Sequence, residues 1–116
     1  MVAREHLICD SQALTNAGKG VRFDAAGQGA FAIRHEDRVH AYLNRCAHVP
    51  TELDWNEGEF FDSSGLYLIC ATHGALYDPA NGDCLGGRCT GKGLQVLHVI
   101  ERDDKVYWVQ EGEKSG

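Results

Sequence analysis

The sequence predicts a mostly β protein of antiparallel strands, and three observations carry that expectation. Its apolar residues fall in short runs bounded by turn-forming residues. Two pairs of runs flank the polar tetrads His35-Glu36-Asp37-Arg38 and Arg102-Asp103-Asp104-Lys105, which read as hairpin turns. No stretch sustains the 3.6-residue period of an amphipathic helix.

Taken in order, residues 6–9 form a first strand, broken by Asp10-Ser11-Gln12. Residues 15–20 are small and polar, hence loop, and 21–23 make a second short strand. Residues 30–33 and 39–43 are the arms of the first hairpin, and the second arm runs straight into Cys46. Thr51 and Asp54 are placed either to cap one helical turn or to lie in irregular chain. Ser63-Ser64-Gly65 signals a turn, and the continuous apolar run 66–69 is consistent with a buried strand ending at Cys70. A strand through Tyr77 then meets Asn81-Gly82, a strong hairpin signal, with residues 83–85 as the return arm. Residues 86–93 form a Gly-rich loop, 94–101 and 106–110 the last hairpin, and 111–116 a frayed tail.

The length, 116 residues, suits one domain with a real core, so residues 1–116 are read as a single unit. Acidic residues number 17 against 11 basic ones, a net charge of -6, which argues against nucleic acid as a partner. Charges lie within the first six residues, and no apolar run is long enough for a signal core or a membrane span. A soluble, cytoplasmic protein is therefore expected. Five cysteines are an odd number, a poor basis for a secreted disulfide framework.

The chemistry concentrates in two short segments, Cys46-Ala47-His48 and Cys70-Ala71-Thr72-His73. Each offers one thiolate and one imidazole, and 21 residues separate His48 from Cys70. A Rieske 2Fe-2S cluster has two Cys on one iron and two His on the other, a demand met by one Cys and one His from each of two loops. Gly74, directly after the second His, suits a turn that a side chain would obstruct. The same four residues could close a tetrahedral zinc site, although zinc modules usually pair Cys with Cys and His with His. Between the pairs lie Glu52, Asp54, Glu57, Glu59 and Asp62 with no Lys or Arg. This stretch is either a solvated acidic loop or a negative field that steers a basic partner. Cys84 and Cys89 flank the Gly-rich loop as a redox pair, alternative metal ligands, small buried groups or inert thiols, and Cys9 belongs to a strand core.

The two ligand segments, Gly74, Tyr77, the Asn81-Gly82 turn and the closing hairpin together resemble the Rieske family, and most closely its small soluble ferredoxins of aromatic-ring dioxygenase systems. The resemblance implies an antiparallel β-sandwich with a small cluster-binding subdomain, about residues 45–91, inserted in a base domain of about 1–44 and 92–110. It implies one 2Fe-2S cluster held by Cys46 and Cys70 on the inner iron and by His48 and His73 on the outer iron, with Tyr77 donating a hydrogen bond toward a sulfur. Respiratory Rieske proteins carry a further Cys in each loop, where this chain has Thr51 and Thr72, and a Ser where it has Ala75. The implied potential is thus in the lower part of the Rieske range, because hydrogen bonds to sulfur raise it. The implied role is a one-electron carrier, itself no enzyme. It would dock transiently, as a monomer, with a flavoprotein ferredoxin reductase and a terminal oxygenase. Two alternatives stay open: a small Rieske-type subunit of a reductase such as an assimilatory nitrite reductase, and a zinc-stabilised β binding module.

Overall fold

The computed structural model describes residues 4–45, 53, 58–70, 74–86 and 93–110. Ten strands follow in chain order: β1 (Arg4–Asp10), β2 (Val21–Ala25), β3 (Gln28–His35), β4 (Arg38–Leu43), β5 (Leu68–Ile69), β6 (Leu76–Tyr77), β7 (Cys84–Gly86), β8 (Val96–Leu97), β9 (Val99–Arg102) and β10 (Lys105–Gln110). A 3-10 turn, Ser11–Ala13, follows β1. The strands form three antiparallel sheets, ordered β1-β10-β9, β2-β3-β4-β8 and β5-β6-β7.

Three two-residue turns set the hairpin registers. Ala26-Gly27, Glu36-Asp37 and Asp103-Asp104 all have positive φ at both positions, the mirror-image geometry whose twist matches that of paired strands. The tetrads at 35–38 and 102–105 are the turns expected from sequence, with His35 opposite Arg38 and Arg102 opposite Lys105.

The four-stranded sheet is the middle layer, and β3 shows why. Ala30 and Ala32 pack toward the β1-β10-β9 sheet, in clusters with Leu14, Ala41, Val106, Leu43 and Trp108. Phe31 and Ile33 point the other way, into a cluster with Tyr42, Leu53, Phe60, Leu68, Cys70 and Tyr77. All four β3 residues are buried, because this strand has no solvent face. Phe31 stacks on Phe60 with ring centroids 3.9 Å apart and planes 11° from parallel, joining the middle sheet to the chain before β5.

Arg34 ties the middle sheet to the terminal one. Its Nε donates to the Leu14 carbonyl at 2.9 Å, and its Nη2 lies 2.6 Å from Glu101 Oε2 on β9. The Arg34 hydrogen bond holds the Glu101 carboxyl below its usual range, against the opposing effect of burial.

Two expected strands differ from the sequence reading. The run 66–69 is regular only at Leu68–Ile69, while Leu66 and Tyr67 are exposed. The Asp62 carboxylate explains this: its Oδ1 accepts from Ser64 Oγ, and Asp62 N–H donates to the Tyr67 carbonyl, so the chain turns before it can straighten. The expected strand 94–101 is split at His98 into β8, paired with β4, and β9, paired with β10.

Candidate metal centre

Of the residues expected to hold the metal, Cys70 and the supporting Tyr77 lie within the described residues, whereas Cys46, His48 and His73 lie outside them. Cys70 ends β5, is fully buried and is not disulfide-bonded. Two backbone hydrogen bonds close the loop it opens. Cys70 N–H donates to the Ala75 carbonyl at 2.9 Å, and Gly74 N–H donates to the Cys70 carbonyl at 2.7 Å. Gly74 has φ +70° and no atom within 4 Å of where a Cβ would stand, so the backbone conformation, not crowding, is what calls for glycine.

Tyr77 lies opposite Leu68 across β5 and β6, and both side chains enter the core cluster that contains Cys70. Ala75 is buried in the same cluster. A small apolar side chain without a hydrogen-bond donor thus fills this position.

The first ligand segment is flanked by a device that sequence reasoning missed. Asn44, directly after β4, is buried, and its Oδ1 accepts a hydrogen bond from Leu53 N–H at 2.9 Å. Its own N–H donates to the Gly29 carbonyl at 2.9 Å. The chain from 45 to 52, which carries Cys46 and His48, is therefore bracketed by one side-chain amide. Leu53 is fully buried in the cluster that holds Cys70 and Tyr77, so both ligand segments are anchored to one core. An Asn after a strand reads in sequence as a break, and nothing local marks a partner nine residues on.

Tyr42 is a second such residue. Its hydroxyl donates to the Pro79 carbonyl at 2.7 Å, and burial pushes its pKa far up, so it stays protonated and remains a donor. Its ring lies beneath Gly82, where a Cβ would come within 2.9 Å of Cε1. The Asn81-Gly82 turn expected from sequence is present, with Asn81 Oδ1 accepting from Asp83 N–H at 2.9 Å and Gly82 N–H donating to the Asp78 carbonyl at 2.7 Å. Glycine there meets two demands, a φ of +80° and the approach to Tyr42.

Cys84 is disulfide-bonded, which removes it from the ligand set and corrects its reading as an inert thiol; Cys89 lies outside the described residues. Cys9 is half-buried, and burial followed by the nearby Asp10 raises its thiol pKa, as fits a packing residue. His6 stacks on Trp108 and bonds Gln110 at 2.9 Å, and burial lowers the pKa of His40. Among the described residues, no group of three or more His, Cys, Asp or Glu is placed to hold another metal, and no helix is long and apolar enough to cross a membrane.

Fold and site together define an all-β protein with a buried thiol at the mouth of a tight, glycine-closed loop. The family profile of the Rieske [2Fe-2S] domain matches residues 4–111, and the chain belongs to that family. Its cofactor is accordingly a Rieske-type 2Fe-2S cluster. Cys70 fits that group in its donor chemistry, a cysteine sulfur presented from non-helical chain directly after β5.

The solved structures it resembles agree in fold. The ferredoxin of carbazole 1,9a-dioxygenase from Nocardioides aromaticivorans IC177 is 20% identical with a TM-score of 0.76, covering 92% of this chain and 98% of its own. The terminal oxygenase of the same system is 23% identical with a TM-score of 0.76, over 96% of this chain but 31% of its own. A complex of reduced oxygenase and oxidized ferredoxin in carbazole 1,9a-dioxygenase contains a chain 21% identical, matched over 96% of this chain and 97% of that one, at a TM-score of 0.75. No curated protein sequence is detectably similar.

Proposed function

We propose that this protein is a one-electron carrier of the Rieske ferredoxin type, passing electrons from a flavoprotein reductase to a terminal oxygenase. The observation that carries this reading is the Rieske domain itself, which matches residues 4–111 and shares its fold with 98% of a dioxygenase ferredoxin. The solved oxygenase–ferredoxin complex with the same fold supports transient docking on a terminal oxygenase.

In this reading residues 45–91 form the cluster-carrying subdomain on a base of 1–44 and 92–110. Cys46 and Cys70 would hold one iron of the cluster, and His48 and His73 the other. When bound, the cluster supplies reversible one-electron chemistry, with two imidazoles in place of thiolates keeping its potential above that of four-Cys ferredoxins. The chain's own residues do the rest. Asn44 and the Cys70–Ala75 bonds fix the two ligand segments, and the shared core keeps water from the inner side. Tyr77 would donate its hydroxyl toward a cluster sulfur, while Ala75 offers no second donor. The protein works as a cytoplasmic monomer and transforms no substrate by itself.

The test is low-temperature EPR before and after dithionite, with iron, sulfide and zinc analysis of the same sample. A signal of low average g on reduction, with two irons and two sulfides per chain, is expected. Zinc without a reducible signal would refute the carrier role.

A further inference from the structure

The surface beside the second ligand pair opens into a groove of about 800 Å3. Apolar Phe61, Ile69 and Leu76 line it together with Gly74 and the carboxylates Glu59 and Asp62. Ile69 and Leu76 are neighbours across β5 and β6, facing away from the core that takes Leu68 and Tyr77. Ile69 immediately precedes Cys70 and Gly74 immediately follows His73, so the groove borders the ligand segment on both sides in sequence. Leu66 and Tyr67, on the turn leading into β5, add exposed apolar surface, Leu66 at 58% exposure.

Charge sets the kind of occupant. Residues 46–87 contain seven Asp and Glu and no Lys or Arg. The rest of the chain holds all 11 basic residues against the other ten acidic ones. The net negative charge of this protein is thus carried by the part of the chain that bears the ligand pairs. An apolar groove with carboxylates along it, in a stretch without a single Lys or Arg, complements a protein surface whose apolar centre is flanked by Lys or Arg.

We infer that this groove is the seat of the electron-transfer partner, occupied by a basic-flanked apolar segment of a redox protein. The inference rests on the carrier reading and adds to it a side of approach, along β5 and β6 beside Gly74. One electron passes from the reduced protein to the seated partner, and no proton or bond change is required.

The probe is ferricytochrome c, a small basic redox protein whose haem edge is ringed by lysines. The dithionite-reduced full chain, freed of excess reductant, is mixed with it in stopped flow at low and high ionic strength. Glu59→Gln with Asp62→Asn should slow electron transfer about fivefold at low salt, with the difference fading as salt screens the pair. Asparagine at 62 keeps the Oδ1 that accepts from Ser64. Ser63→Trp, placing bulk at a groove-lining position, should slow transfer about threefold at both salt levels, because it obstructs contact and changes no charge. Two base charges removed as a control, Glu36→Gln with Asp103→Asn, should leave the rate within about 1.5-fold.

Groove variants that behave like the base control would overturn the inference. So would a charge effect without any effect of Ser63→Trp, since the acidic field would then steer partners without the groove seating them. The EPR signal of each variant verifies that fold and cluster are intact. Absence of a reducible signal in the unaltered protein would take down the carrier reading and this inference together, whereas a normal signal with unaffected kinetics removes the groove alone.

Discussion

Among the described residues, the two segments expected to carry the ligands are held by different means. The second, from Cys70 to Ala75, is closed by its own backbone, through two N–H to carbonyl bonds and a left-handed glycine. The first is bracketed by a side chain, with the Asn44 amide reaching across to Leu53 N–H. A backbone-closed loop depends on one dihedral and is indifferent to most side chains around it. A side-chain bracket depends on the chemistry of one residue and weakens when that residue changes. A two-ended centre of this kind has two separable weak points.

Gly74 is the sharper one. Gly74→Val forces a β-branched residue into φ +70° and should destabilise the protein by about 3 kcal/mol, with rapid loss of iron to a chelator. Gly74→Asn, which tolerates that conformation and has open space around its Cβ, should lose far less. Equal losses for Val and Asn would show that the site needs more than the dihedral.

Asn44→Ala comes next. It leaves the buried Leu53 N–H without its acceptor, at a cost of about 2 kcal/mol, and should speed iron release without altering exchange of the Gly74 amide. Asn44→Asp keeps an acceptor oxygen and should restore much of the retention. If Ala and Asp behave alike, the bracket is packing and not hydrogen bonding.

The smallest effect falls on the residue that bridges the two sides. Tyr42 stands in the strand leading into the first segment, yet its hydroxyl holds Pro79, beyond the second. Tyr42→Phe should cost about 1 kcal/mol and lower the melting temperature by roughly 4 °C. Amide exchange at Gly82 should accelerate while that at Leu53 stays unchanged; a change at Leu53 would mean that the two segments are one cooperative unit.

These contrasts follow the line between what was legible in the sequence and what was not. Thiolates and imidazoles at fixed spacing announce metal chemistry locally, and so do Glu36-Asp37, Asp103-Asp104 and Asn81-Gly82 for turns, because the dihedrals are decided within a few residues. The strand 94–101 alternates smoothly through His98, so nothing in its period reveals that one half joins β4 and the other β10. The run 66–69 is uniformly apolar, but its first two residues are turned out by Asp62. Asn44 and Tyr42 are invisible for the same reason: each acts on a partner fixed only by how separate layers meet, Tyr42 across 37 residues. The acidic stretch between the ligand pairs was visible as charge, while the apolar groove that gives it a contact surface exists only once β5 and β6 are paired.

The pairing of β1 with β10 has a consequence for the order in which the molecule is made. Arg4 lies opposite Gln110, and among the described residues β10 is the sheet neighbour of β1. At about 5–20 residues per second on the ribosome, β1 waits on the order of 5–20 s for that partner. The hairpin of β2 and β3 and the whole loop system through β7 have emerged by then. Both ligand segments can thus be shaped, and presented to whatever delivers iron and sulfide, while the terminal sheet is still open.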